Sequence, residues 1–104
     1  MANYLLAYHG GHLAETDEGR KQVMAAFGKW FQDLGPKLVD AGNPVGRAKT
    51  VKNGGEAEGG GANPVSGYTI IRADSLDDAV TMTKGCPVLQ GGGSIEVCET
   101  FSAM

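Results

Sequence analysis

Two histidines stand three residues apart in residues 8–12, which read Y-H-G-G-H. Because imidazole changes charge near neutral pH, His9 could act as a general base with His12 beside it. The structural alternative is that His9 ends a strand with its ring bonded to a backbone carbonyl, while His12 is exposed. A zinc site needs three or four ligands. The chain has only these two histidines, and no carboxylate or cysteine stands at a matching spacing, so we expect no metal and no other cofactor.

Three carboxylates could pair with these histidines, and the sequence leaves the pairings open. His12 could pair with Asp17, which is near it in the chain. His9 could pair with Asp33 or with Glu96, both distant in sequence. Spacing alone does not choose between these pairings.

Glu96 is the strongest polar candidate in the last third of the chain. It alternates with Ile95 and Val97 along a predicted strand, so its side chain points to the opposite face of the sheet. If Ile95 and Val97 pack under helices, Glu96 faces a cavity, where its carboxylate could serve as an acid or a base. A salt bridge to Arg72 on a neighbouring strand is the structural alternative.

Basic side chains are the candidates for holding an anionic ligand, because they donate charge-assisted hydrogen bonds. We take Lys49 and Arg72, together with His12, as the candidate ligand-binding residues. Ser66 has no nucleophile elbow around it and no base at a defined place, so it is no candidate nucleophile. The Gly-rich residues 54–61 lack a following Gly-Lys-Ser/Thr and a predicted helix, which argues against a nucleotide site.

Composition narrows the class of protein. A chain of 104 residues with 41% hydrophobic and 20% charged residues predicts one globular domain over residues 1–104. Nine Lys and Arg against twelve Asp and Glu build no large basic surface, so we expect neither nucleic acid nor an anionic membrane as a partner. The first residues carry no positive stretch before an apolar run. We therefore expect a cytoplasmic protein with Cys86 and Cys98 as free thiols.

Hydrophobic periodicity predicts the elements of the first half of the chain. Residues 3–9 form an apolar run, typical of a strand covered on both faces. Thr16 caps a helix whose apolar stripe occupies positions 23, 27, 30, 31 and 34. Gly35-Pro36 interrupts it, and a short helical continuation is expected to carry Leu38 and Val39 and to end at Gly42.

Residues 45–52 are predicted to form a charged edge strand, and residues 53–63 a mobile Gly-rich loop. The second half then reads as strand, helix, strand. Residues 66–73 are rich in β-formers, and Ser75 is an N-cap three residues before Asp78. Gly85 and Pro87 end the helix. A Gly-rich turn at residues 91–93 opens the last strand, 94–101.

This order of elements predicts an α+β fold of the ferredoxin-like βαββαβ type. Such a fold has a four-stranded antiparallel sheet with two helices on one face. Apolar residues on both strand faces would leave apolar surface in water. We therefore expect a homodimer packed sheet to sheet, a dimeric α+β barrel.

The second half also resembles a known family. The matching pieces are G-Y-T-I-I at 67–71, S-L-D-D-A at 75–79, C-P at 86–87 and I-E-V at 95–97. These segments resemble the YCII-related proteins of the DGPF-type branch, and the likeness is clearest in the C-terminal two-fifths. The D-G-P-F signature itself corresponds to A-N-P-V at 62–65. Cys98 stands where that branch has an arginine, and the insertion that follows the signature is missing.

The resemblance implies a dimeric ferredoxin-like barrel with a cleft at the dimer interface. Some relatives are small-molecule lyases or isomerases, including a dehydrochlorinase with a His-Asp pair, and many have no assigned activity. The hypothesis is a lyase- or isomerase-type protein in which His9 is the base and Glu96 or Lys49 orients a small organic substrate. The alternative is a non-catalytic ligand-binding or regulatory dimerisation module.

Overall fold

The structure is a computed structural model that describes residues 1–11 and 16–102. It contains a four-stranded sheet, a separate two-stranded hairpin and helices. The strands are Ala2–His9 (β1), Leu38–Asp40 (β2), Lys49–Lys52 (β3), Gly55–Glu58 (β4), Val65–Ala73 (β5) and Ser94–Glu99 (β6). The helices are Asp17–Leu34 (α1), Leu76–Thr83 (α2) and Pro87–Gln90 (α3), with a 3₁₀ turn at Gly35–Lys37. None of the helices in these residues is long and apolar enough to cross a membrane.

The main sheet has the strand order β2-β5-β1-β6, and every neighbouring pair is antiparallel. The chain is therefore an α+β protein, as predicted. Alternate side chains of β1 and β5 form the core with α1 and α2, and the main contributors are Tyr4, Leu6, Tyr8, Ile71, Trp30, Leu34 and Ala79. The opposite side of the sheet, here called the open face, carries Leu5, Ala7, His9, Tyr68, Ile70, Glu96 and Cys98.

Helix α1 begins and packs much as its sequence predicts. Thr16 caps it by accepting a hydrogen bond from the Gly19 amide at 3.0 Å. Trp30 is buried and donates from its indole nitrogen to the Met82 carbonyl at 3.0 Å, which ties α1 to α2. Val23 was expected on the buried stripe but is 41% exposed, because the helix meets the sheet only from Phe27 onward.

The region after α1 corrects the predicted helical continuation. Residues 35–37 make one 3₁₀ turn, and Leu38–Asp40 is an edge strand paired with β5. Gly42 does not cap a helix: it has a φ of +75°, and a Cβ there would lie 1.8 Å from the Tyr68 carbonyl oxygen. Only glycine lets the chain approach β5 so closely. This long-range contact leaves no trace in local periodicity.

The predicted strand 45–52 and loop 53–63 are also corrected. Only Lys49–Lys52 is a strand, and it pairs with Gly55–Glu58 as an antiparallel hairpin outside the main sheet. The two residues between these strands are Asn53 and Gly54, the sequence most typical of a tight hairpin turn. The charged and glycine-rich composition of residues 53–63 gave no indication of β4, which pairs only with β3.

The second half follows its predicted order closely. Ser75 accepts a hydrogen bond from the Asp78 amide at 3.1 Å and begins α2. Pro87 does more than end that helix, because it is the first residue of the short helix α3. The last strand ends at Glu99, two residues earlier than predicted.

Candidate functional site

The structure brings His9 and Glu96 together on the open face. The residues lie on the neighbouring strands β1 and β6, where Glu96 is opposite Ala7 and His9 is opposite Ser94. The His9 Nε2 atom lies 3.1 Å from the Glu96 Oε1 atom. Of the pairings that the sequence left open for His9, the geometry therefore selects Glu96.

The two members of this pair differ sharply in exposure. The His9 side chain is 9% exposed, whereas the Glu96 side chain is 65% exposed. An incoming molecule would therefore meet the carboxylate first and the imidazole behind it. The roles in the sequence hypothesis, with His9 as the base and Glu96 or Lys49 as the orienting group, stay a prediction.

The other ring nitrogen of His9 is held by the backbone. The Nδ1 atom lies 3.0 Å from the Asn63 carbonyl oxygen and 3.2 Å from the Pro64 carbonyl oxygen. Carbonyl oxygens only accept hydrogen bonds, so these partners assign a proton to Nδ1. The structural alternative for His9, a ring bonded to a backbone carbonyl, is thus present together with the contact to Glu96.

Assigning Nδ1 as a donor fixes what Nε2 can do. Nε2 faces a carboxylate, and a hydrogen bond there needs one further proton, carried either by the ring or by the carboxyl group. A proton on either group would lie in the contact between Nε2 and Oε1. A histidine in contact with an exposed carboxylate is an arrangement that general acid–base chemistry can use.

The backbone at the end of β1 is closely packed from two sides. The register of β1 against β5 shifts between Tyr8 and His9, so that His9 is opposite Val65, and its ring contacts the carbonyls of residues 63 and 64. A Cβ at Gly93 would lie 2.9 Å from the His9 carbonyl oxygen and 2.7 Å from Val88 Cγ1, so glycine is required there. Ser66 Oγ donates to the Gly10 carbonyl at 3.0 Å, which gives this serine a structural role.

Cys98 is a further polar neighbour of the pair. Its Sγ atom lies 3.8 Å from Glu96 Oε2, two residues along the same strand face. Desolvation, followed by the negative charge and the hydrogen bond of Glu96, raises the pKa of the Cys98 thiol. The thiolate is the reactive form, so Cys98 is a poor nucleophile in this position.

The two basic candidates lie away from the pair. Lys49 is on the hairpin, where its Nζ atom lies 3.8 Å from Glu56 Oε1 and 3.4 Å from Glu58 Oε1. Arg72 is opposite Asn3 on β5. The structural alternative for Glu96, a salt bridge to Arg72 on a neighbouring strand, is not present, because β1 lies between their strands.

The remaining candidates lie elsewhere. Asp33 is on α1 and lines a concavity of about 260 Å³ beside Trp30 and Gly85, on the helix side of the sheet. Asp17 lies 3.8 Å from Arg20 in the first turn of α1. His12 is outside the described residues, and so is its predicted pairing with Asp17.

Sequence reasoning missed the residues that act through their backbone. The carbonyls of residues 63 and 64 and the close approach of Gly93 are set by tertiary structure, and no side-chain pattern announces them. Within residues 1–11 and 16–102, no group of three or more His, Cys, Asp or Glu side chains could hold a metal ion. No protein-family model, curated protein or solved structure matches this chain.

Proposed function

We propose that this protein is a small acid–base enzyme of the lyase or isomerase type, in which Glu96 and His9 move a proton to and from a small organic molecule. The observation that carries the proposal is the 3.1 Å contact between His9 Nε2 and Glu96 Oε1, with the other ring nitrogen held by backbone carbonyls. Proton transfer by positioned side chains of this kind accelerates reactions by about 10²–10⁴-fold.

In this proposal Glu96 is the group that touches the substrate. Glu96 is the more exposed member of the pair, and its carboxylate takes a proton from a carbon or oxygen atom of the substrate. Before this transfer, the His9 ring donates a hydrogen bond from Nε2 and stabilises the negative charge of the carboxylate. In an isomerisation, the carboxyl group then returns that proton to a different substrate atom. In an elimination, the electron pair left by the proton expels a leaving group.

The finer fold belongs to the same proposal. We propose a ferredoxin-like βαββαβ unit of the YCII-related kind that dimerises through its open face into an α+β barrel. The order β2-β5-β1-β6 supports it, because two strand–helix–strand units interleave in this way in that fold. The half-buried Leu5, Tyr68 and Ile70 on the open face favour a second protein layer. Free Cys86 and Cys98 are compatible with the cytoplasm.

A non-catalytic ligand-binding module is the second candidate. Two surface concavities, of about 620 Å³ and about 260 Å³, are lined by other residues than His9 and Glu96. The larger one lies at the opposite end of β1, beside Arg72, Asn3 and Phe101. Ligand binding there would proceed without the proton pair.

The test is a screen for proton transfer in deuterated water. Small molecules with acidic C–H bonds are incubated with the protein, and deuterium incorporation or elimination is followed by NMR. We expect Glu96→Gln and His9→Gln each to lower a detected rate by at least about 10²-fold. The matched control Asp33→Asn removes the other carboxylate considered for His9, and we expect it to leave the rate unchanged.

A rate that survives both Glu96→Gln and His9→Gln would overturn the proposed roles. Ligand binding that survives both changes, without any turnover by the unmodified protein, would favour the binding module instead.

A further inference from the structure

The hairpin β3–β4 has little support from its own chain. Seven of its eight strand residues are exposed, and Thr50 is half-buried. Val51, its largest apolar residue, is 77% exposed. An isolated two-stranded hairpin is marginally stable in water at best. A stable hairpin here would therefore need a further surface to pack against.

The hairpin extends beyond one end of the main sheet. The Pro44–Gly67 bridge and the hydrogen bond from the Val45 amide to the Ser66 carbonyl continue the β2–β5 pairing past β2. The bond from the Gly59 amide to the Ala48 carbonyl then leads into the hairpin. His9 is at this same end of the sheet, opposite Val65.

The molecular dimensions agree with a projecting hairpin. The radius of gyration is 14.9 Å, compared with about 13 Å for a compact domain of 100 residues. The described chain measures 44 × 44 × 18 Å. Its short axis fits one layer of helices on one sheet, because packed layers lie about 10 Å apart. The hairpin therefore does not cover the open face of its own chain.

Glu96 on that face is 65% exposed, and the apolar side chains of Leu5, Tyr68 and Ile70 on the same face are only half-buried. Among the described residues of one copy, the open face has no further layer packed on it, and the hairpin has no surface to pack against. We propose that the hairpin β3–β4 is a docking arm that packs on the open face of a second copy of this chain and covers that copy's His9–Glu96 pair.

Size supports a second copy as the occupant. With strands of 3, 9, 8 and 6 residues in the main sheet, a rise of about 3.3 Å per residue and a strand spacing of about 4.8 Å give a flat footprint of about 400 Å². A stable dimer buries about 800 Å² on each partner. The open face alone falls short of this, and an arm from each copy would supply further contact area in both directions.

This inference depends on the proposed dimer but not on the proposed proton transfer.

The first experiment measures the dimer dissociation constant by sedimentation equilibrium. Val51→Asp places a charge on the arm, and Met24→Asp is the matched control, a 74% exposed apolar residue on α1. We expect Val51→Asp to raise the dissociation constant at least tenfold and Met24→Asp to change it less than twofold. A monomeric unmodified protein would overturn both the dimer and the arm. A dimer that Val51→Asp does not weaken would overturn the arm alone.

The second experiment follows amide hydrogen exchange in residues 49–58 across a dilution series. We expect protection in the concentrated protein, with at least tenfold faster exchange on dilution below the dissociation constant and in Val51→Asp. Protection independent of concentration would mean that the hairpin is supported within its own chain, and would overturn the inference. Neither readout needs a substrate, so failure here is separate from failure of the proposed activity.

Discussion

Two antiparallel ladders of this molecule differ in what stabilises them. In the β1–β5 ladder, Tyr4, Leu6 and Ile71 are at most 1% exposed and pack under the helices. In the β3–β4 ladder, Val51 is 77% exposed, and the side-chain contacts include the surface ion pairs of Lys49. A backbone hydrogen bond contributes about 1 kcal/mol net, whereas burying a large apolar side chain contributes about 1.5–3 kcal/mol. Both ladders have backbone hydrogen bonds, but only the β1–β5 ladder also buries large apolar side chains.

The largest expected effect comes from truncating one apolar side chain in each ladder. Leu6→Ala should lower the free energy of unfolding by about 2–5 kcal/mol, because it leaves a cavity in a fully buried site. Val51→Ala should change it by less than about 0.5 kcal/mol at dilutions where the protein is monomeric. Urea denaturation measures both values. Equal losses would contradict the contrast between the ladders.

A second prediction tests how the edge strand β2 joins the buried ladder. Gly42→Ala should cost more than about 1 kcal/mol of unfolding free energy, because the new Cβ would collide with the Tyr68 carbonyl oxygen at a positive φ. Gly46→Ala is the control, since a Cβ there meets no heavy atom within 4 Å. Thermal unfolding of the two variants separates the steric effect from glycine replacement in general. A neutral Gly42→Ala would mean that β2 is not held at this point.

Alkaline pH should weaken the buried ladder in particular. Burial raises the pKa of the Tyr8 hydroxyl above 10.0 and the pKa of the Cys86 thiol above 9.0. Both groups hold their protons more tightly in the folded state. Their contribution is therefore complete below the unfolded pKa values and is lost progressively as pH rises above 9.0 for Cys86 and above 10.0 for Tyr8.

Urea denaturation between pH 8 and pH 11 measures this loss. Tyr8→Phe removes one of the two groups, so its stability should fall less steeply with pH than that of the unmodified protein. An identical slope in the two proteins would show that Tyr8 does not contribute to the alkaline loss.

The smallest effect is expected in the hairpin ion pairs. Lys49→Ala removes contacts of 3.4 and 3.8 Å to Glu58 and Glu56, whose side chains are largely exposed. Surface pairs of this kind contribute about 0–1 kcal/mol, so the unfolding free energy should change by less than about 1 kcal/mol. Chemical denaturation at low and high salt provides the measurement. A larger loss that persists at high salt would assign Lys49 a buried role.

The same contrast explains which parts of the fold the sequence predicts. The strand–helix–strand of residues 65–99 is predicted well because its signals are local: the Ser75 cap, the Gly85 stop and runs of β-formers. The short strand Leu38–Asp40 is not, because Gly42 brings the chain close to Tyr68, more than twenty residues away. The hairpin carries a local Asn53-Gly54 turn signal, which the charged and glycine-rich residues around it outweighed.

The side chains of the candidate site could be predicted from the sequence, but the backbone contacts that hold the His9 ring could not. His9 and Glu96 could be named from residue type and strand alternation, with Asp33 left as an alternative partner. The choice between them needs the β1–β6 pairing. The carbonyls of residues 63 and 64 contact the His9 ring beside a register shift between β1 and β5, and sequence spacing does not predict that shift.

The proposed site depends on a His9 ring that is held at Nδ1 by the backbone and hydrogen-bonded to Glu96 at Nε2. Long-range ¹H–¹⁵N correlation spectra of the imidazole nitrogens test it directly, with His9→Gln assigning the signals. We expect Nδ1 to stay protonated in the neutral ring, and Glu96→Gln to shift the Nε2 resonance while Asp33→Asn leaves it unchanged. A neutral ring protonated at Nε2 instead, or an Nε2 resonance insensitive to Glu96→Gln, would contradict it.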